Sequence, residues 1–129
     1  MIGGRAVRAK VGKRKNLNNK FFRSAMEANY ARYLNWLKEN NQIKDWKYED
    51  VEWEFPVRRG NRFYKCDFHI IENDNSESFH EVKGWLDKDS KTKLNRMAKY
   101  YPDVKIILID SVQYRALTKQ MKPLLENWE

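Results

Sequence analysis

Between residues 51 and 57 apolar and polar side chains alternate without a break. Val51, Trp53, Phe55 and Val57 fall on one side, and Glu52, Glu54 and Pro56 on the other. A period of two over seven residues is a strand with one face buried. Pro56 has no N–H to give a ladder, which restricts the segment to a sheet edge or a strand end. This stretch constrains the fold most because the period changes on both sides of it. Upstream, Met26, Tyr30, Tyr33, Leu34 and Leu37 recur at helical spacing. They predict a helix over residues 24–39, with Ser24 and Glu27 three apart as in a capping box and Asn40 and Asn41 as the stop. Downstream, Leu94, Met97, Ala98 and Tyr101 predict a second helix, capped among Asp87, Asp89 and Ser90 and ended by Pro102.

Strands account for most of the remainder. A short one is expected over residues 43–48. Turn chemistry at Arg58, Arg59, Gly60 and Asn61 precedes a strand over residues 62–71, and a polar turn leads to another over residues 79–85. The stretch 51–85 thus reads as three antiparallel strands. Residues 104–109 form an apolar run, buried on both faces if central, and a last helix spans 111 to about 121. The order predicts an α/β fold: a mixed central β-sheet, αβββαβ, flanked by helices. At 129 residues the chain has room for one core, and 41% hydrophobic with 14% aromatic residues exclude wholesale disorder. No apolar run is long enough to span a bilayer, and the basic start lacks the apolar stretch of a secretory signal. The single cysteine, Cys66, has no partner for an internal disulfide, which fits a reducing cytoplasmic setting.

The formal charge is +8, with 26 Lys and Arg against 18 Asp and Glu. Residues 1–20 hold Arg5, Arg8, Lys10, Lys13, Arg14, Lys15 and Lys20 and no acidic residue, so nearly all the excess lies there. With few apolar residues and no periodicity, this stretch reads as a flexible basic arm ahead of a single domain at 21–129. Such an arm binds polyanions through phosphate contacts, or serves only as a solvated tail. Lys91, Lys93 and Arg96 on the second helix, and Arg58, Arg59 and Arg62 at the hairpin turn, admit the same two readings.

Strand parity identifies a chemical grouping. Asp67 shares a face with Phe63, Lys65 and His69, and Glu81 shares one with Phe79, Lys83 and Trp85. On neighbouring strands, Asp67 and Glu81 lie side by side. Two close carboxylates repel unless a cation separates them. Mg²⁺ takes one or two carboxylates and leaves room for water and a phosphate oxygen. A lysine alongside, Lys83, would orient the attacking water and offset phosphate charge, as metal-assisted phosphodiester hydrolysis requires. The ordinary alternative is a strand face with Lys65 and Lys83 as cross-strand partners.

Cys66-Asp67, thirteen residues, then Glu81-Val82-Lys83 resembles the signature of the PD-(D/E)xK nuclease superfamily, and the element order resembles that family's core from Arg23 to Ile109. Where the family usually carries proline before the aspartate, this chain has Cys66. The resemblance implies Asp67, Glu81 and the main-chain carbonyl of Val82 as ligands of Mg²⁺ or Mn²⁺, with Lys83 catalytic. The family's first helix often adds a glutamate, here Glu27, whose other role would be to close the capping box. More narrowly, the chain resembles small phage-type Holliday junction resolvases and related branch-cutting endonucleases. That implies DNA as substrate, a four-way or other branched junction, and a homodimer, since two symmetric cuts need a two-fold. The competing expectations are an endonuclease of restriction or transposase-subunit type and a non-catalytic DNA-binding module.

Overall fold

A computed structural model describes residues 11–129. They begin with a short hairpin, β1 (Gly12–Arg14) and β2 (Lys20–Phe22), joined by a 3-10 turn at Lys15–Leu17. Arg5, Arg8 and Lys10 lie outside the described residues. From residue 11 on, the expected flexible arm is not what forms. Leu17 and Phe22 are buried in the core and Arg14 is only 5% exposed, because the hairpin folds back onto the rest of the chain.

The first helix, α1 (Ala25–Glu39), starts where its sequence predicts. Ser24 is extended and its Oγ accepts the Glu27 N–H at 3.1 Å, while Asn40 caps the other end and Asn41 is left-handed. Five strands follow: β3 (Asp45–Tyr48), β4 (Glu52–Glu54), β5 (Phe63–Lys65), β6 (Phe68–Ile71) and β7 (Glu77–Val82). Helix α2 (Lys88–Tyr100) is capped by Asp87, strand β8 comprises Ile106–Ile109, and helix α3 (Ser111–Met121) opens with a full capping box between Asp110 and Gln113.

The central sheet is mixed, in the order β3-β6-β7-β8. The first three strands are antiparallel, and β8 runs parallel to β7 after the α2 crossover. The succession α1, three antiparallel strands, α2, β8 is the expected αβββαβ order. The pairings differ in three ways. The strand expected over 62–71 breaks at Cys66 and Asp67, and the chain facing it breaks at Glu49–Val51, where Glu49 has φ +49°. The result is a bent ribbon: β3 pairs with β6 inside the central sheet, while β4 pairs with β5 in a separate two-stranded sheet. The alternating segment at 51–57 is therefore not in the central sheet. Finally, β8 is an edge strand and half-buried, so the burial on both faces that a central position would give does not arise.

Apolar side chains pack on both faces. One cluster joins Tyr30, Ala31 and Leu34 of α1 to Phe22, Trp46, Phe68, Ile70 and Val82. The other joins Met97 of α2 to Phe55, Tyr64, Cys66 and Phe79. Each fully buried large side chain, such as Phe68 or Leu34, contributes about 1.5–3 kcal/mol. The bend explains why Tyr64 and Cys66 sit in the second cluster although unbroken alternation would group them with Phe68 and Ile70. Among the described residues no helix is long and apolar enough to cross a membrane.

Candidate active site

At one end of the sheet α1 begins, β6 begins and β7 ends, and the first turns of α2 approach the same point. A cavity of about 340 Å³ opens there, lined by Glu27, Asp67, Glu81, Val82, Lys83 and Lys93 among others. The cavity thus brings together Asp67, Glu81, Lys83, Val82 and Glu27. Continuing the β6–β7 register one step past Phe68↔His80 sets Asp67 opposite Glu81.

Each acid is held by its own element. Asp67 sits at the ribbon's break, 3% exposed, where Oδ2 accepts the Val82 N–H at 2.9 Å and its carbonyl accepts the Glu49 N–H. Glu81, in a central strand and 7% exposed, accepts the Tyr64 hydroxyl at 2.8 Å. Glu27 lies in the first turn of α1, and its Oε1 accepts the Tyr48 hydroxyl at 2.6 Å. It does not complete the capping box: the backbone N–H it takes is that of Arg23, at 3.2 Å, one residue before the Ser24 cap.

The electrostatics are out of balance. Burial pushes the Asp67 carboxyl above its ordinary value, and the charges of Glu81 and Glu27 push it further, against only partial relief from Val82 N–H and Arg23. Burial also raises Glu81, with the Tyr64 hydroxyl and the Lys83 ammonium opposing. A nearby positive charge favours the ionised form of such buried carboxylates. Among the described residues no group of three or more His, Cys, Asp or Glu comes together as a ready-made metal cage. What the cavity offers is the sparser set that suits Mg²⁺, one or two carboxylates with open positions. The chain supplies one cation here itself. Arg23 Nη2 lies 3.2 Å from Asp67 Oδ1 and 3.5 Å from Glu27 Oε2, and it also pairs with Glu49.

Arg23, Glu49, Tyr48 and Tyr64 were not singled out from the sequence. The signal for Arg23 was present, an arginine four residues before Glu27 at a helix start. The tyrosines and Glu49 reach the cavity only through the tertiary fold.

The other predicted residues divide. Lys93 lines the cavity; Lys13, Lys15, Arg58, Arg59 and Lys91 are exposed elsewhere on the surface. Arg62 is exposed but pairs with Glu54 at 3.2 Å. Arg96 donates to the carbonyls of Gly60 and Asn61, tying the hairpin turn to α2. Arg14 is corrected: it is buried, with Nε 2.8 Å from Glu129 Oε2, and so has no access to a phosphate backbone. Of the apolar residues that share a face with the acids, Phe79 is buried while Phe63 and Trp85 are exposed, and Tyr64, Val82 and Leu94 line the cavity. His69 is outside the cavity, stacked on Phe79 between Asp50 and Glu77. His80 bonds Tyr30 Oη, and burial lowers its pKa to about 4. Cys66 is a packed thiol whose pKa burial raises. Compared with family models, with curated proteins and with solved structures, the chain finds no match in any of the three.

Proposed function

We propose that this chain is a metal-dependent endonuclease hydrolysing DNA phosphodiesters, with the PD-(D/E)xK superfamily as the family it resembles. The observation that carries the reading is that Asp67, Glu81, Lys83 and Glu27 line one cavity although they come from three separate elements. Asp67 and Glu81, with the Val82 carbonyl, would hold Mg²⁺, or Mn²⁺ in its place. A divalent ion held there would acidify water and stabilise charge developing on the phosphate.

The chain's own groups do the rest. The Val82 N–H and the Tyr64 hydroxyl fix one oxygen each of Asp67 and Glu81, which leaves their other oxygens to face a cation. Lys83 sets an ammonium beside Glu81, where it orients a water and meets the phosphate. Glu27, held by Tyr48, supports the ion or its water. Lys65 and Lys93 on the cavity wall supply positive charge for a polyanion, and the exposed Lys13, Lys15, Arg58, Arg59 and Lys91 extend it over the surface.

We take a four-way or other branched junction as the preferred DNA and a homodimer as the working form, since resolution needs paired cuts. The test is incubation with a four-way junction and with linear duplex, each in Mg²⁺ and in chelator. Metal-dependent cutting of the junction that Asp67→Asn abolishes, with DNA binding retained, is the expected result. Sequence-specific cutting of linear duplex would move the reading to a restriction or transposase-subunit type. Binding with no metal-dependent product would leave a non-catalytic DNA-binding module.

A further inference from the structure

We propose that Arg23 is the resident counter-ion of the cavity's carboxylates and that a divalent cation displaces its guanidinium from Asp67. The inference rests on the reading of Asp67 and Glu81 as metal ligands. A single nitrogen, Nη2, meets Asp67 Oδ1 at 3.2 Å, Glu27 Oε2 at 3.5 Å and a carboxylate oxygen of Glu49. Among the described residues no other Lys or Arg forms an ion pair with these acids or with Glu81. One arginine therefore serves three carboxylates, each 24% exposed or less at the side chain, while the buried Glu81 beside Asp67 has the charge of Lys83 acting on it.

The two sides of this contact differ in mobility. The acids are fixed by backbone and tyrosine donors: Val82 N–H on Asp67, Tyr48 on Glu27, Tyr64 on Glu81. The Arg23 side chain is 55% exposed and can swing into solvent without opening the core. A dication at Asp67 repels a guanidinium that shares the same carboxylate, so one of them must leave, and the exposed group is the one free to do so. Glu49 is the most exposed of the three paired acids and is not among the proposed metal ligands, so it retains Arg23 at the cavity rim after the exchange. The protein's own cation thus holds the buried acids together before metal arrives, and lowers metal affinity by competing for them.

Calorimetric titration of Mn²⁺ into the full chain tests this, comparing wild type with Arg23→Gln and Lys65→Gln. Lys65 also lines the cavity but forms no ion pair with its acids, so its loss measures the general effect of removing one positive charge. Arg23→Gln is expected to bind Mn²⁺ about tenfold tighter than wild type, and Lys65→Gln to change within about threefold. Arg23→Gln binding no tighter than Lys65→Gln overturns the displacement while wild-type binding leaves the metal site standing. Absence of Mn²⁺ binding in all three overturns both. A second measurement needs only the wild type: the ¹⁵Nε–H resonance of Arg23 is expected to shift and sharpen as Mg²⁺ is added. A resonance unmoved at saturating Mg²⁺ overturns the proposal even if the Gln variant does not fold.

Discussion

Among the described residues, the charged clusters around Glu129 and around Arg23 are balanced in opposite ways. Where the β1–β2 hairpin meets α1, Glu129 takes two bonds from Arg14, at 2.8 and 2.9 Å, and one ion pair from Arg32 at 3.0 Å. Asn29 adds hydrogen bonds to the Glu129 backbone. Burial would raise the Glu129 carboxyl, but the two guanidiniums outweigh it and hold it below its ordinary value. At the cavity the ratio is reversed, with Glu27, Glu49 and Asp67 sharing one arginine, Arg23, and Asp67 is pushed up by burial and by Glu81 and Glu27. The first cluster meets its charge within the chain. The second leaves Asp67 buried beside two other acids, with one half-exposed guanidinium shared among three carboxylates.

The comparison can be broken at either end. The largest expected effect is on catalysis: Asp67→Asn lowers metal-dependent cleavage by more than about 100-fold, measured on the DNA substrate that wild type cuts best. In chelator the same variant melts higher than wild type, because a buried negative charge has been removed. A lower melting temperature would show that Asp67 is a structural partner like Glu129. Next, Glu129→Gln is expected to lose about 3 kcal/mol in denaturant unfolding, since Arg14 and Arg32 are left buried without their carboxylate. A loss under about 0.5 kcal/mol would mean that this cluster is not the clamp its geometry describes.

The pH dependence of metal-free stability sharpens the contrast through opposite signs. Asp67 binds its proton more tightly folded than unfolded, so its contribution is present at low pH and is lost as pH rises above the ordinary aspartate value. Glu129 binds its proton less tightly when folded. Its contribution is present above the ordinary glutamate value and is lost as pH falls below it. Melting temperatures across pH should show the alkaline-side decline flattened in Asp67→Asn and the acid-side decline flattened in Glu129→Gln. The smallest effect is that of Lys93→Ala, which should weaken DNA binding by less than about tenfold and reduce its salt dependence, read by a salt-titrated binding assay.

Much of this architecture was legible because it is written locally. Ser24 before α1, Asp87 before α2 and Asp110 before α3 satisfy their own helices within three residues. The pairing of Asp67 with Glu81 was also legible, since both lie within a step of the β6–β7 register. The bend was not. A period of two continues through Cys66 and Asp67 with no sign that pairing changes partners there, so alternation alone groups Tyr64 and Cys66 with Phe68 and Ile70 and not with Phe55 and Phe79, where they pack. Nor was the role of Arg14, whose partner is 115 positions away. A run of like charges reads as solvated when its counter-charge lies at such a distance. The position of residues 104–109 was left open for a related reason: an apolar run reports burial by neighbours of any kind, and at an edge strand those neighbours are half absent.

The break before β6 also ties correct folding to chemistry. If β6 slid by one residue against β7, Cys66 or Phe68 would replace Asp67 opposite Glu81, and every side chain along the strand would exchange faces. A misregistered molecule would therefore keep its strands and lose its acid pair. Specific activity, measured against total folded protein, would count the fraction of chains that zipped up in frame.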